Sequence, residues 1–157
     1  MVIKQLLDED FVNYKKPSMF IGFPSCTWKC DIECGKKVCQ NGTLATSPNI
    51  EISTKKIVER YINNSITKAV VCAGLEPFDT WKELKDFIIK FRQKTQDDIV
   101  IYTGYKKEEI LNEIDWLRLF PNIIVKFGRF VPDQQKHYDD ILGIYLASEN
   151  QFAERIK

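Results

Sequence analysis

DIVIYTGYKKEEILNEIDWLRLFPNIIVKF, residues 98–127, reads as a strand, a helix and a second strand. Asp98–Thr103 and Asn122–Phe127 are short runs dominated by Ile, Val, Tyr and Phe. Runs that are apolar throughout, without alternation, belong to strands buried on both faces. Between them, from Lys106 to about Leu117, Ile110, Leu111, Ile114 and Leu117 recur at helical spacing and point inward. A parallel strand pair needs a crossover of about this length, and such crossovers are right-handed. The stretch predicts an α/β chain built on a parallel sheet.

The pattern repeats outward. Ser18–Phe23 (SMFIGF) and Thr67–Cys72 (TKAVVC) are further strands, and Ile141–Leu146 (ILGIYL) is a candidate fifth. Ser53 or Thr54 caps a helix with Ile57, Val58, Tyr61 and Ile62 on one face. Thr80 and Glu83 make a T-x-x-E capping box, opening a helix striped by Trp81, Leu84, Phe87, Ile88 and Phe91. No repeat, low-complexity tract or linker interrupts residues 1–157, which read as one domain. In such folds function gathers at the C-terminal ends of the strands. The long loop after the first strand, about 24–48, is therefore the place to look.

Composition narrows the function. Lys plus Arg number 23 against 22 Asp plus Glu, so no charge excess favours nucleic acid or a membrane surface. No run approaches the roughly 20 apolar residues of a membrane span. MVIKQLLDED turns acidic where a signal peptide would be apolar, so the expected location is the cytoplasm. His137 is the single histidine, which leaves little material for histidine acid–base catalysis.

The cysteines carry the chemistry. They stand at 26, 30, 34, 39 and 72, four of them within Cys26-Thr-Trp-Lys-Cys30-Asp-Ile-Glu-Cys34-Gly-Lys-Lys-Val-Cys39. In a reducing compartment clustered thiols read as ligands for a soft metal. Two occupants fit the local motif equally: an iron–sulfur cluster, or one zinc held by four thiolates in a non-catalytic module. Cys72, on a strand, reads as a small core residue.

Five motifs in order tip that balance. Cys26-x3-Cys30 follows the first strand, and Ala73-Gly74-Leu75-Glu76-Pro77 follows the second. Tyr102-Thr103-Gly-Tyr105 ends the third; Gly128-Arg-Phe130-Val131 and Ala147-Ser148-Glu-Asn150-Gln151 come later. In this order they resemble the radical S-adenosylmethionine enzymes, and among them the activating proteins of anaerobic ribonucleotide reductase. The chain departs from that family in three places. Glu33 stands where the third cysteine of C-x3-C-x2-C is usual, Leu75 replaces a motif glycine, and a D-G-P-G-x-R stretch before the first strand is absent. Either Cys34 or Cys39 then supplies the third ligand. Cys39 is favoured because Cys39-Gln40-Asn41 resembles the C-H-N of the family.

The resemblance implies a partial (βα) barrel of about five or six parallel strands. It implies a 4Fe-4S cluster on Cys26, Cys30 and Cys39 or Cys34, with one iron left open for S-adenosylmethionine. Ala73, Gly74 and Glu76 would hold the methionine amino group of that cofactor, and Tyr102, Thr103 and Asn150 would line its pocket. Gln151 would join Asn150 at the adenosine part. The implied outcome is a 5′-deoxyadenosyl radical that makes a glycyl radical on a partner. That partner is the large subunit of anaerobic ribonucleotide reductase or a related glycyl-radical enzyme, with flavodoxin or a similar protein as electron donor. A peptide or nucleoside substrate is the alternative within the same chemistry. From the residues alone, Glu76 and Asp79 read equally as acids at a helix N-terminus, and Trp28 as a packed aromatic or a shield for the cluster.

Overall fold

The computed structural model describes all residues 1–157. Its strands are β1 (Val2–Ile3), β2 (Gln5–Asp10), β3 (Ser18–Phe23), β4 (Ile50–Glu51), β5 (Ala69–Gly74) and β6 (Asp98–Tyr102). After these come β7 (Ile123–Phe127), β8 (His137–Asp139), β9 (Ile144–Leu146) and β10 (Phe152–Arg155). The helices are α1 (Lys29–Cys34), α2 (Gly42–Thr46), α3 (Thr54–Ile62), α4 (Trp81–Arg92) and α5 (Leu111–Leu117). None is long and apolar enough to cross a membrane.

Six strands form the main sheet in the order β10-β7-β6-β5-β3-β2. The four central strands, β3, β5, β6 and β7, are parallel and adjacent in chain order. These are four of the strands expected from their apolar runs. Both edges are antiparallel strands that the apolar runs do not announce: β2 on β3 and β10 on β7. The parallel count is thus four, below the five or six expected, and the sheet is open. Edge strands keep one side in water, so QLLDED and FAER carry charges that read as loop. ILGIYL does not join this sheet. Only its last three residues are a strand, β9, paired with β8 in a hairpin.

Strand order that advances one way with right-handed crossovers puts the three crossover helices, α3, α4 and α5, on one face. That face holds 22 buried residues, with Met19, Ile21, Val70, Cys72, Ile99 and Val125 meeting Ile57, Leu84, Phe87, Phe91 and Ile114. The other face carries Phe20, Val71, Val100 and Ile124. Tyr14, Leu142 and Leu146 cover it, and they come from a strap at 11–16 and the β8–β9 hairpin.

Local details depart from the pattern in three places. Ser53 caps α3 as expected, accepting the Lys56 amide. Thr80 makes no side-chain cap; instead Glu76 caps a short 3-10 turn, Pro77–Thr80, that runs into α4. Ile62 and Leu111 are exposed, because α3 ends at Ile62 and α5 begins only at Leu111 after a 3-10 turn.

Candidate cluster and ligand cavity

The C-terminal ends of β3, β5, β6 and β7 open into a cavity of about 580 Å³. Cys26, Cys30 and Cys39 line it, together with Ala73, Gly74, Glu76, Tyr102 and Thr103. Cys34 does not, and neither does Asn150. Cys34 sits at the end of α1, half-buried. The Asn150 side-chain amide donates to the Arg129 carbonyl at 2.8 Å. Its neighbour Gln151 does reach the cavity, though its side chain is bonded to Gly128 and Ser148. A smaller groove of about 380 Å³ between α3 and α4 is lined by Lys55, Glu59, Lys90 and Lys94, with no cysteine.

The cysteine loop is fastened at several points. Asp79 accepts the Thr27 amide at 2.7 Å and the Tyr105 hydroxyl at 2.6 Å, and the Glu76 amide donates to the Ser25 carbonyl. Asp79 therefore ties the loop to two strand ends, beyond the helix-entry role read from sequence. Trp28 adopts a left-handed conformation at φ 58° between the two cysteines and is partly exposed, outside the cavity lining. Such a conformation is strained for a residue with a β-carbon. At the other end of α1, Glu33 pairs with Lys106 at 3.3 Å and lies 3.1 Å from Arg129 Nε, off the hydrogen-bond line. Arg129 is buried and grips Glu109 with two further bonds of 2.7 and 2.8 Å.

Two of the cavity cysteines have a backbone amide aimed at their sulfur: Trp28 on Cys26 at 3.2 Å and Asn41 on Cys39 at 3.4 Å. Amide bonds to sulfur are a lever on cluster potential. Burial pushes the Cys26 thiol up to about 11 against the pull of the Trp28 amide. Burial also raises Cys30, opposed by the Phe130 amide and by the charges of Lys126 and Arg129. Without metal the Cys26 thiol stays protonated at neutral pH, so a metal bound there displaces a proton.

Two buried charges face each other's region without pairing. Glu76 accepts from the Phe78 amide and Thr103 hydroxyl on one oxygen and from the Gly104 amide on the other. Burial nevertheless lifts its carboxyl to about 7. Lys126, 8% exposed, reaches only the Gly128 carbonyl at 3.4 Å and the Tyr102 ring. Burial lowers its ammonium to about 8, although nearby Cys30 and Glu76 favour the charge. The motif reading missed Lys126. Its signal was present: one lysine inside the apolar run IIVKF.

The glycine question resolves by one residue. A β-carbon on Gly74, at φ +89°, would lie 2.8 Å from Gly22 Cα, so glycine is required there. Leu75 has no positive φ and simply lines the cavity. Gly104 sits next to the site: a β-carbon there would stand 3.6 Å from Cys30 Sγ and 3.7 Å from Glu76 Oε2, in ordinary contact.

No three His, Cys, Asp or Glu side chains converge closely enough to hold a single metal ion. Three thiols line one cavity, and thiolates are the soft donors that iron–sulfur clusters take. The donor set therefore fits a cubane on three cysteines. The profile of a family described as a 4Fe-4S single cluster domain matches residues 19–151, from β3 to just before β10. No curated protein and no solved structure matches the chain significantly.

Proposed function

Because the chain belongs to the 4Fe-4S single cluster domain family, we propose that Cys26, Cys30 and Cys39 hold its cluster and leave one iron open for S-adenosylmethionine. The observation that carries this reading is the company the three thiols keep. They share their cavity with a buried acid, Glu76, and a buried cation, Lys126, that make no ion pair with one another. Buried charges are normally paired, and an amino-acid ligand offers an ammonium and a carboxylate to such a couple.

A cluster on these cysteines would supply one electron to the sulfonium of S-adenosylmethionine, whose C5′–S bond would break to give methionine and a 5′-deoxyadenosyl radical. The protein's own residues place the ligand. Three fixed donors hold the Glu76 oxygens, so its carboxylate accepts an ammonium without reorganising. Lys126 meets the negative end. Gly74 lets the backbone approach, while buried Phe20 gives the cavity an apolar wall.

The radical is directed to a backbone glycine of a partner, anaerobic ribonucleotide reductase or a related glycyl-radical enzyme, with electrons from a flavodoxin-like donor. The one-sided helix layer is read as a segment of a (βα) barrel whose open side the partner covers. Anaerobic reconstitution of the chain with iron and sulfide tests the core of this. The expected product holds about four irons per chain, and with a strong reductant it releases 5′-deoxyadenosine. Cys26→Ala, Cys30→Ala and Cys39→Ala abolish both, while Cys34→Ala retains both. A cluster that survives Cys39→Ala defeats the ligand assignment. Turnover of a small molecule with no partner present defeats the assignment of a protein substrate.

A further inference from the structure

Cys39 reaches the cavity although eight residues, 31–38, separate it from Cys30. A loop of that length has many conformations in which its far end misses the cavity, so something must fold it back. The residue placed to do so is Asp31. Its Oδ1 accepts the Val38 amide at 2.7 Å and the Cys39 amide at 2.8 Å. Bonds to an ionised acceptor are short and about twice as strong as neutral ones.

The rest of the excursion is anchored at both sides. Before the turn, Glu33 is held by Lys106 and Arg129. The usual family spacing would put a cysteine at this position, so α1 uses it as a dock. At Gly35, φ +66° and a bond from its amide to the Ile32 carbonyl end α1 and reverse the chain. After the turn, Asn41 Nδ2 donates to the Gly74 carbonyl at 2.7 Å and its amide to Cys39 Sγ. Cys34 stays on α1, away from the cavity, while Cys39 is delivered to it.

We propose that Asp31 is a positioning residue: by binding the Val38 and Cys39 amides together, it selects Cys39 over Cys34 as the third cluster ligand. This rests on the reading of Cys39 as a ligand given above. Asp31 itself touches no iron in this scheme.

The test compares the full chain with Asp31→Ala, Asp31→Asn, Cys39→Ala and Cys34→Ala. Amide hydrogen exchange is read on the metal-free protein; iron, sulfide and the EPR spectrum of the reduced cluster are read after reconstitution. In Asp31→Ala the Val38 and Cys39 amides exchange about tenfold faster, while β5 and β6 amides keep their protection. Its cluster content falls below half. Asp31→Asn, which keeps a weaker acceptor, lies between Asp31→Ala and the unchanged chain on both readouts. Should Asp31→Ala also lose core protection, Asp31→Asn decides alone. Faster loop exchange with reduced loading supports the proposal, and unchanged exchange and loading overturn it. Full loading with an unaltered spectrum in Asp31→Ala, beside an empty Cys39→Ala, overturns the role of Asp31 and spares the ligand reading. Full loading in Cys39→Ala overturns both.

Discussion

The two ends of the parallel strands hold a buried acid in different ways, Asp98 at the N-terminal end and Glu76 at the C-terminal end. At the N-terminal end, Asp98 receives the Tyr14 hydroxyl at 2.9 Å, Lys16 at 2.5 Å and Arg155 at 3.3 Å. These join the strap, β6 and β10 in one network. Burial alone would raise the Asp98 carboxyl, but the bonds from Lys16, Tyr14 and Arg155 hold it below the usual carboxylate range. At the C-terminal end, Glu76 is surrounded by neutral donors and sits at about 7. Lys126, the cation that could have neutralised it, stays apart. One end is closed by its own ion pairs; the other keeps its acid and its cation unpaired with each other in a cavity that the cysteines also line. Stability is concentrated at the first and surrendered at the second, as expected where a site is built for a ligand.

Four substitutions test that contrast. The largest effect belongs to Asp98→Ala, which strands one hydroxyl and two cations. It costs the metal-free chain about 3 kcal/mol, read from urea unfolding at pH 7. If the loss is below about 1 kcal/mol, the closed end is not the stable one.

Glu76→Gln acts through pH. The folded carboxyl is raised above its unfolded value of 4.5, so its contribution is fully present below 4.5 and lost as pH rises through about 7. Asp98 has the opposite sign: its contribution is present above the unfolded value and lost as pH falls through the depressed folded value. Urea unfolding of the metal-free protein at pH 5 and pH 8 therefore shows a decline that Glu76→Gln removes, roughly 2 kcal/mol. An unchanged pH profile would show that Glu76 is not held in the buried, uncompensated state described here.

Lys126→Met is expected to stabilise. Its ammonium is lowered to about 8, so near pH 7 the folded chain pays to keep the charge buried. The gain is about 1.5 kcal/mol in metal-free protein, accompanied by weaker S-adenosylmethionine binding after reconstitution. A destabilised variant would mean that Lys126 is internally compensated. The smallest effect is Tyr14→Phe at the closed end, a loss of about 1 kcal/mol for one hydroxyl bond, with no change in cluster content.

The parallel core was legible because its strands are buried on both faces and so are mainly apolar without alternation: SMFIGF, AVVC, DIVIY and IIVKF. The edges were not, because β2 and β10 are solvated on one side and their composition resembles a loop. The Thr80 capping box failed for a similar reason. The pattern T-x-x-E was present, but a 3-10 turn capped by Glu76 occupies the helix entry. Of the site, residue types and order were readable, and Cys26, Cys30, Ala73, Gly74, Glu76, Tyr102 and Thr103 do line one cavity.

The sequence alone determined which chemistries were available: soft thiolates in a cluster, one histidine, balanced charge and strand–helix repeats. Those depend on residue identity and local spacing. Only the tertiary structure decided that Cys39 and not Cys34 enters the cavity, that Asn150 turns away, and that Lys126 and Glu76 line the same cavity without pairing. Each of these turns on contacts between residues distant in the chain, such as Asn41 with Gly74 and Glu33 with Arg129. Spacing along a chain carries no record of which distant partner will satisfy a buried polar group; the folded packing makes that choice.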